Sequence, residues 1–213
     1  MKGSIHFHSN ESYDSMNSID KIIDKAMLNN LDFIILTDHD TIEGSMKLRK
    51  RVKERGLDLI VPIAAEYKTE FGDIIAAFIS KEIHETDFES FVKEVLNQEG
   101  LLMLPHPFEA HSEDKIEFIG SKMHLIETFN GRCNSSQDLR SKHLSKKLKK
   151  PEFFGSDAHL QKELFNVIVS LKTDKKNEKS LKKSLLDKKM QAIKSQKTFK
   201  RYITISQIIK GLK

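Results

Sequence analysis

An α/β fold is predicted by two observations: short apolar runs alternate with segments of helical period from end to end, and histidines and acidic residues gather where the apolar runs stop. Eight such runs suit a barrel. The first, Gly3 to Phe7, passes into the polar stretch before a helix whose Ile19, Ile22, Ile23, Ala26 and Met27 share one face, with Ser18 as its N-cap. Leu31 to Leu36 is the second strand, Glu43 to Arg55 a charged outer helix, and Asp58 to Ala65 and Asp73 to Ile79 the next two strands. The following helix has a Thr86/Glu89 capping box, an apolar stripe of Phe88, Phe91, Val92, Val95 and Leu96, and Gly100 at its C-terminal cap. Strands at Leu101 to Leu104 and His124 to Thr128, a helix over Ser135 to Lys149, and strands at Pro151 to Phe154 and Asn166 to Leu171 complete the pattern.

The 213 residues are enough for one large domain that buries roughly 70% of its unfolded surface. No repeat or long linker divides them, so a single domain over 1–213 is expected. With 38% hydrophobic and 31% charged residues and only 4 Pro and 9 Gly, the chain is neither collagen-like nor disordered. A single cysteine, Cys133, excludes an internal disulfide scaffold and a Cys-rich zinc module, so any metal must be held by His and carboxylates. The N-terminus lacks the apolar stretch of a signal peptide, and no run approaches the roughly 18 residues of a membrane span. A cytoplasmic protein without membrane partners is expected.

The net charge of +5 is unevenly spread. Residues 171–213 hold 14 Lys and Arg against 3 Asp and Glu, a net +11 that leaves −6 on the first 170. Residues 172–213 are expected to form a basic, mostly helical C-terminal segment of the same domain, either a solvated face or a surface that attracts nucleic acid.

The chemistry lies at the strand ends. The first strand runs into His6-Phe7-His8, the second into Thr37-Asp38-His39-Asp40, the third into Glu66, the fifth into Pro105-His106-Pro107 and the seventh into Gly155-Ser156-Asp157-Ala158-His159. In a parallel barrel these ends share one face, where active sites form. Alternation along an extended chain predicts that His6 and His8 point the same way, as do Asp38 and Asp40, and Asp157 and His159. Imidazole with carboxylate suits zinc, manganese and iron, and more than four such groups imply more than one ion. His84, His111, His124 and His143 lie in charged, helical or strand-interior positions and receive no role.

These motifs together resemble the PHP family, the polymerase and histidinol phosphatase domain, over residues 3 to 170. His6-Phe7-His8, Thr37-Asp38-His39-Asp40, Leu104-Pro105-His106-Pro107 and Gly155-Ser156-Asp157-Ala158-His159 resemble its four motifs in order. The resemblance implies a distorted (β/α)7 TIM-like barrel with a bi- or trinuclear site that hydrolyses phosphoesters. It implies His6, His8, Glu66 and Asp157 around a first metal, Glu66 bridging to a second that also takes His106, and Asp14, His39 and His159 on a third. Many members carry a further histidine shortly after the bridging glutamate; here Gly72-Asp73 occupies that region, and Asp73 is the candidate replacement. Asp38 and Asp40 are expected to orient ligand histidines or face substrate. Arg132, beyond the sixth strand, is a candidate bidentate phosphate ligand.

The function expected is hydrolysis of a small phosphomonoester or a nucleotide-derived phosphate with two or three divalent Mn, Zn or Fe ions. The alternative enzyme is a nuclease or nucleotide phosphodiesterase using the basic segment to hold DNA or RNA; the non-enzyme alternative is a binding module. No Gly-x-Ser-x-Gly elbow, P-loop or dinucleotide fingerprint is present.

Overall fold

The computed structural model describes residues 1–212 apart from Ala110, Ser112, Asp174 and Lys188. Its first half runs β1 (Lys2–Ile5), α1 (Ile19–Leu28), β2 (Phe33–Ile35), α2 (Glu43–Glu54), β3 (Ala64–Thr69), β4 (Gly72–Ala77), α3 (Phe88–Asn97) and β5 (Leu101–Leu104). Then follow α4 (Ile116–Lys122), β6 (Leu125–Asn130), α5 (Ser135–Leu148), β7 (Glu152–Gly155), β8 (Val167–Ser170), α6 (Glu178–Leu186), β9 (Gln191–Ser195) and α7 (Lys200–Leu212).

The fold is α/β, as expected, but the strands form two sheets, ordered β2-β1-β8-β9 and β3-β4-β5-β6-β7, rather than one closed barrel. Single bridges, His39 to Glu66 and Phe7 to Ala158, link one sheet to the other at the ends that carry the motifs. One apolar cluster draws Ile5, Phe33, Ala64, Ile75, Met103, Leu125, Phe153 and Val167 from eight different strands, so both sheets enclose a shared core. Leu181 and Leu185 of α6 pack into the same cluster. A second cluster joins Ile34 and Leu36 to α1 and α2 through Ile22, Ile23, Leu48 and Val52. A third joins Ala76, Leu102 and Leu104 to α3 and α4 through Phe88, Phe91, Val95 and Ile119.

Several local expectations are corrected. The third strand begins at Ala64 rather than Asp58; the preceding segment contributes only a bridge from Ile60 to Phe33. β4 turns back antiparallel on β3 through Glu70-Phe71, with Glu66 opposite Ile75. The cap of α3 is Asp87, whose carboxylate accepts the Ser90 N–H at 2.9 Å, and the left-handed residue at its end is Glu99 (φ 54°), not Gly100. The basic segment carries α6 and α7 and also a strand not expected there: β9 pairs antiparallel with β8 from Val167/Ser195 to Ser170/Gln191, so it extends the first sheet. No helix among the described residues is long and apolar enough to cross a membrane.

Candidate metal centre

The strand ends bring most of the expected ligands together. Among the described residues, ligand atoms of His6, Glu66 and His106, of His6, His8 and Asp157, and of His8, His39 and His159 fall in three groups, each within 4.8 Å. Glu66 sits in the middle: Oε1 is 2.9 Å from His106 Nε2, while Oε2 is 3.3 Å from His6 Nε2 and 3.4 Å from His8 Nε2. Asp157 Oδ1 lies 3.7 and 3.3 Å from the same two imidazoles. Asp14 Oδ2 joins His39 Nε2 at 3.4 Å and His159 Nε2 at 3.1 Å. The rings of His39 and His159 stand 4.4 and 4.2 Å from that of His8.

This convergence is not the alternation that the sequence predicts. β1 stops at Ile5, and His6 (φ 60°), His106 (φ 27°) and Asp157 (φ 50°) each adopt a left-handed backbone that turns the chain inward. Such non-glycine conformations cost about 1–3 kcal/mol each, and surrounding packing must hold them. Asp40 (φ 55°) turns the same way, which separates it from Asp38.

Asp38 is wholly buried and accepts the Ser9 N–H at 2.6 Å, the Ser9 hydroxyl at 2.6 Å and the Ser12 hydroxyl at 3.0 Å. It ties down the loop after His8 and touches neither a ligand ring nor solvent. Asp40 is exposed and accepts the Lys68 N–H at 2.9 Å, beside a surface hollow that shares no residue with the metal centre. Asp73 does line the cleft with Asp14, His39 and His106, but it belongs to none of the three close groups. Arg132 also lines the cleft. Its Nη1 donates to Ser206 at 2.8 Å and its Nη2 to both oxygens of buried Glu163 at 3.0 Å, so no open guanidinium fork faces outward.

Sequence reasoning missed four residues. Glu127, buried in β6, has Oε1 at 2.9 Å from His6 Nδ1, while Oε2 accepts the His106 N–H at 2.7 Å and the Asn130 amide at 2.9 Å. Asn130 also reaches Asp157 Oδ2 at 3.4 Å. Glu163 accepts the His159 and Leu160 N–H groups at 3.0 and 2.7 Å. His111 is buried with its ring 6.1 Å from that of His106, and its Nε2 donates to the Asp73 carbonyl at 2.8 Å. A lone acid inside the apolar Leu-Ile-Glu-Thr-Phe-Asn strand is the signal that marks Glu127.

The electrostatics describe a cluster that needs positive charge. Burial alone would lower His6 and His106, yet Glu127 and Glu66 hold His6 well above the ordinary range, and Glu66 raises His106 to about 10. Against the same burial, Asp14 and Glu66 raise His39 to about 9. Burial would raise Glu66 and Asp157, but their imidazole neighbours keep both well below the carboxylate range. His8 differs. Burial, then His159 and His39, lower it to about 3, so it is neutral. The Ser12 hydroxyl proton goes to Asp38, so the 3.3 Å contact from His8 Nδ1 requires the ring to donate there.

The bare lone pair of His8 Nε2 then faces carboxylate oxygens of Glu66 and Asp157, with no hydrogen bond among the described residues. Asp14 Oδ1 and His106 Nδ1 are likewise buried without a partner. A lone pair aimed at two carboxylates is repulsive unless a cation stands between them, so this donor set fits divalent metal. Glu127 on His6 is the carboxylate-on-histidine arrangement that fixes a ligand ring.

The PHP domain model matches residues 4–199, and the chain belongs to the PHP domain family. It is 29% identical over 119 residues to an uncharacterized protein of Methanocaldococcus jannaschii, covering 51% of this chain and 68% of that one. Its fold is similar to a two-domain protein of Bacteroides vulgatus described as containing a predicted PHP-like metal-dependent phosphoesterase (TM-score 0.77, 17% identity, 92% of this chain and 65% of that one). It is also similar to a lesion-specific endonuclease of Pyrococcus furiosus (TM-score 0.62, 16% identity, 90% of this chain and 57% of that one). The chain therefore spans under two thirds of both structures.

Proposed function

We propose that this protein is a metal-dependent phosphoesterase acting on a small phosphomonoester or a nucleotide-derived phosphate. The observation that carries this reading is Glu66, whose two oxygens face different imidazoles, His106 on one side and His6 with His8 on the other, as a carboxylate shared by two cations does. His6, His8, Glu66 and Asp157 would hold one ion; Glu66 and His106, with Asp73 on the cleft wall, a second; Asp14, His39 and His159 a third. Mn, Zn or Fe suits this mixture of imidazole and carboxylate. Bound there, divalent ions supply an acidified water and neutralise charge on the phosphoryl oxygens.

The chain's own residues prepare that chemistry. Glu127 keeps the proton of His6 on Nδ1, away from the cluster, and Ser12 does the same for His8. Asn130 steadies Glu127 and Asp157 together. Arg132, held by Glu163, adds positive charge beside Asp157 rather than a fork for phosphate. The two sheets are read as arcs of one distorted barrel around the shared core, with all ligands at its motif-bearing end.

A nuclease reading is favoured by the likeness to the Pyrococcus furiosus endonuclease and by the net +11 on the C-terminal segment. The test is hydrolysis of aryl phosphomonoesters, diesters and short oligonucleotides by protein loaded with Mn, Fe or Zn. Monoester turnover that falls at least about a hundredfold in folded His39→Ala and Asp157→Asn supports the proposal; full activity in both overturns it. Turnover of oligonucleotides alone selects the nuclease.

A further inference from the structure

The C-terminal helix is placed for more than solvation. Ile203, Ser206, Gln207 and Lys210 of α7 recur at helical spacing and line one cleft of about 200 Å³ together with Asp14, His39, His106, Asp157 and His159. The helix therefore roofs the metal centre. It is attached at the loop after β6, where Thr198 N–H donates to the Gly131 carbonyl at 2.7 Å, Lys197 Nζ to the Asn130 carbonyl at 2.8 Å, and Arg132 to buried Ser206.

Apart from the imidazoles, the basic side chains that line the cleft are Arg132 and Lys210. Arg132 is committed to Glu163 and Ser206, as above. Lys210 makes no ion pair among the described residues; its Nζ stands 5.0 Å over the Tyr13 ring, whose other neighbour is the His39 ring, 5.0 Å away and 15° from parallel. An ammonium kept beside the acidic cluster without a carboxylate of its own is available to an incoming anion. A flexible lysine can leave the face of a half-exposed ring to do so, because such contacts are worth only about 0.5–1 kcal/mol.

Resting on the phosphoesterase reading, we propose that Lys210 receives the phosphoryl group of the substrate at the cleft mouth and that α7 confines the site to terminal phosphomonoesters of small molecules. A phosphoryl group and a small organic moiety fill a cleft of about 200 Å³, below the range of sites for larger ligands. With α7 along its wall, the cleft has less room for a continuous polynucleotide strand than for a small ester.

The test uses the full chain loaded with Mn, with inorganic phosphate titrated by calorimetry and KM and kcat measured on a small phosphomonoester. Lys210→Ala should weaken phosphate binding and raise KM by about tenfold or more, with kcat changed far less; Lys210→Arg should restore most of the loss. Metal content and circular dichroism should match wild type in both variants, since Lys210 is exposed. Phosphate binding and KM within about twofold of wild type in Lys210→Ala would make it a surface lysine and overturn the proposal. If the loaded wild type hydrolyses no phosphoester, the functional reading falls, while the phosphate titration still decides the role of Lys210. Cleavage of circular single-stranded DNA, which has no terminal phosphate, would overturn the role of α7.

Discussion

His6 Nδ1 and Glu127 Oε1 lie 2.9 Å apart with no solvent at either side chain, and the second oxygen of the same carboxylate takes the backbone N–H of His106. One acid thus sets the ring of a candidate ligand on one side of Glu66 and the main chain of a candidate ligand on the other. Glu127→Gln keeps the shape and removes the charge. Metal affinity is expected to fall 10- to 100-fold or so, as with other groups that orient ligands, while the fold is retained. Competition with a coloured chelator checks it, and unchanged affinity would reduce Glu127 to packing.

The closeness of that pair also explains a glycine. A Cβ at Gly155 would stand 1.9 Å from Glu127 Oε1 and 2.8 Å from His6 Cβ. Gly155→Ala must push one of them, and both are buried. A loss of about 1–3 kcal/mol is expected from overpacking, together with weakened metal retention. Urea denaturation of metal-free protein reads the first effect separately from the second.

The two aspartates of the second motif should behave oppositely. Removing the Asp38 carboxylate takes the acceptor from the Ser9 N–H and the Ser9 hydroxyl and one of the partners from the Ser12 hydroxyl, so Asp38→Ala should cost about 1–3 kcal/mol or more. Asp40→Ala, at an exposed position, should stay within about 0.5 kcal/mol of wild type. Equal costs would contradict the placement of the two side chains.

The contrast between these aspartates shows what sequence reading reaches. The α/β class and the strand-end gathering are legible because ligand-type residues recur after apolar runs, while the partners around Glu66 follow only from the resemblance to the PHP family. What was not legible is backbone hand: no pattern of side chains marks the left-handed turns at His6, Asp40, His106 and Asp157, so alternation paired Asp38 with Asp40 wrongly. Glu127 carries a sequence signal, a lone acid in an apolar strand, whereas Glu163 is recognisable only once its partners, distant in sequence, are known. His111 sat among charged residues and looked like surface. The strand Gln191–Ser195 was missed because its side chains are largely exposed and its pairing with β8 supplies the reason for it. The basic segment is expected as a helical part of the same domain, but nothing in its charge pattern tells that α7 lines the cleft.

Proton release follows from the imidazole environments. His39 at about 9 and His106 at about 10 are raised, so metal-free protein carries both protons at pH 7. Metal must displace them, so affinity should rise with pH through neutrality and level off toward pH 9 to 10. For the metal-free fold the sign is opposite: the stabilisation from these pairs is complete below pH 6.5 and is lost as pH rises through 9 to 10. Calorimetric loading in two buffers of different ionisation enthalpy should report more than one proton released per chain at pH 7. Release of none would contradict the charge assignment.

The central claim is a cluster of ions bridged by Glu66, and elemental analysis tests it most directly. Protein exposed to manganese, iron or zinc and desalted without chelator should retain two or three ions per chain, falling by at least one in Glu66→Gln. A folded wild type that retains none, or a Glu66→Gln variant that retains as many as wild type, would contradict it.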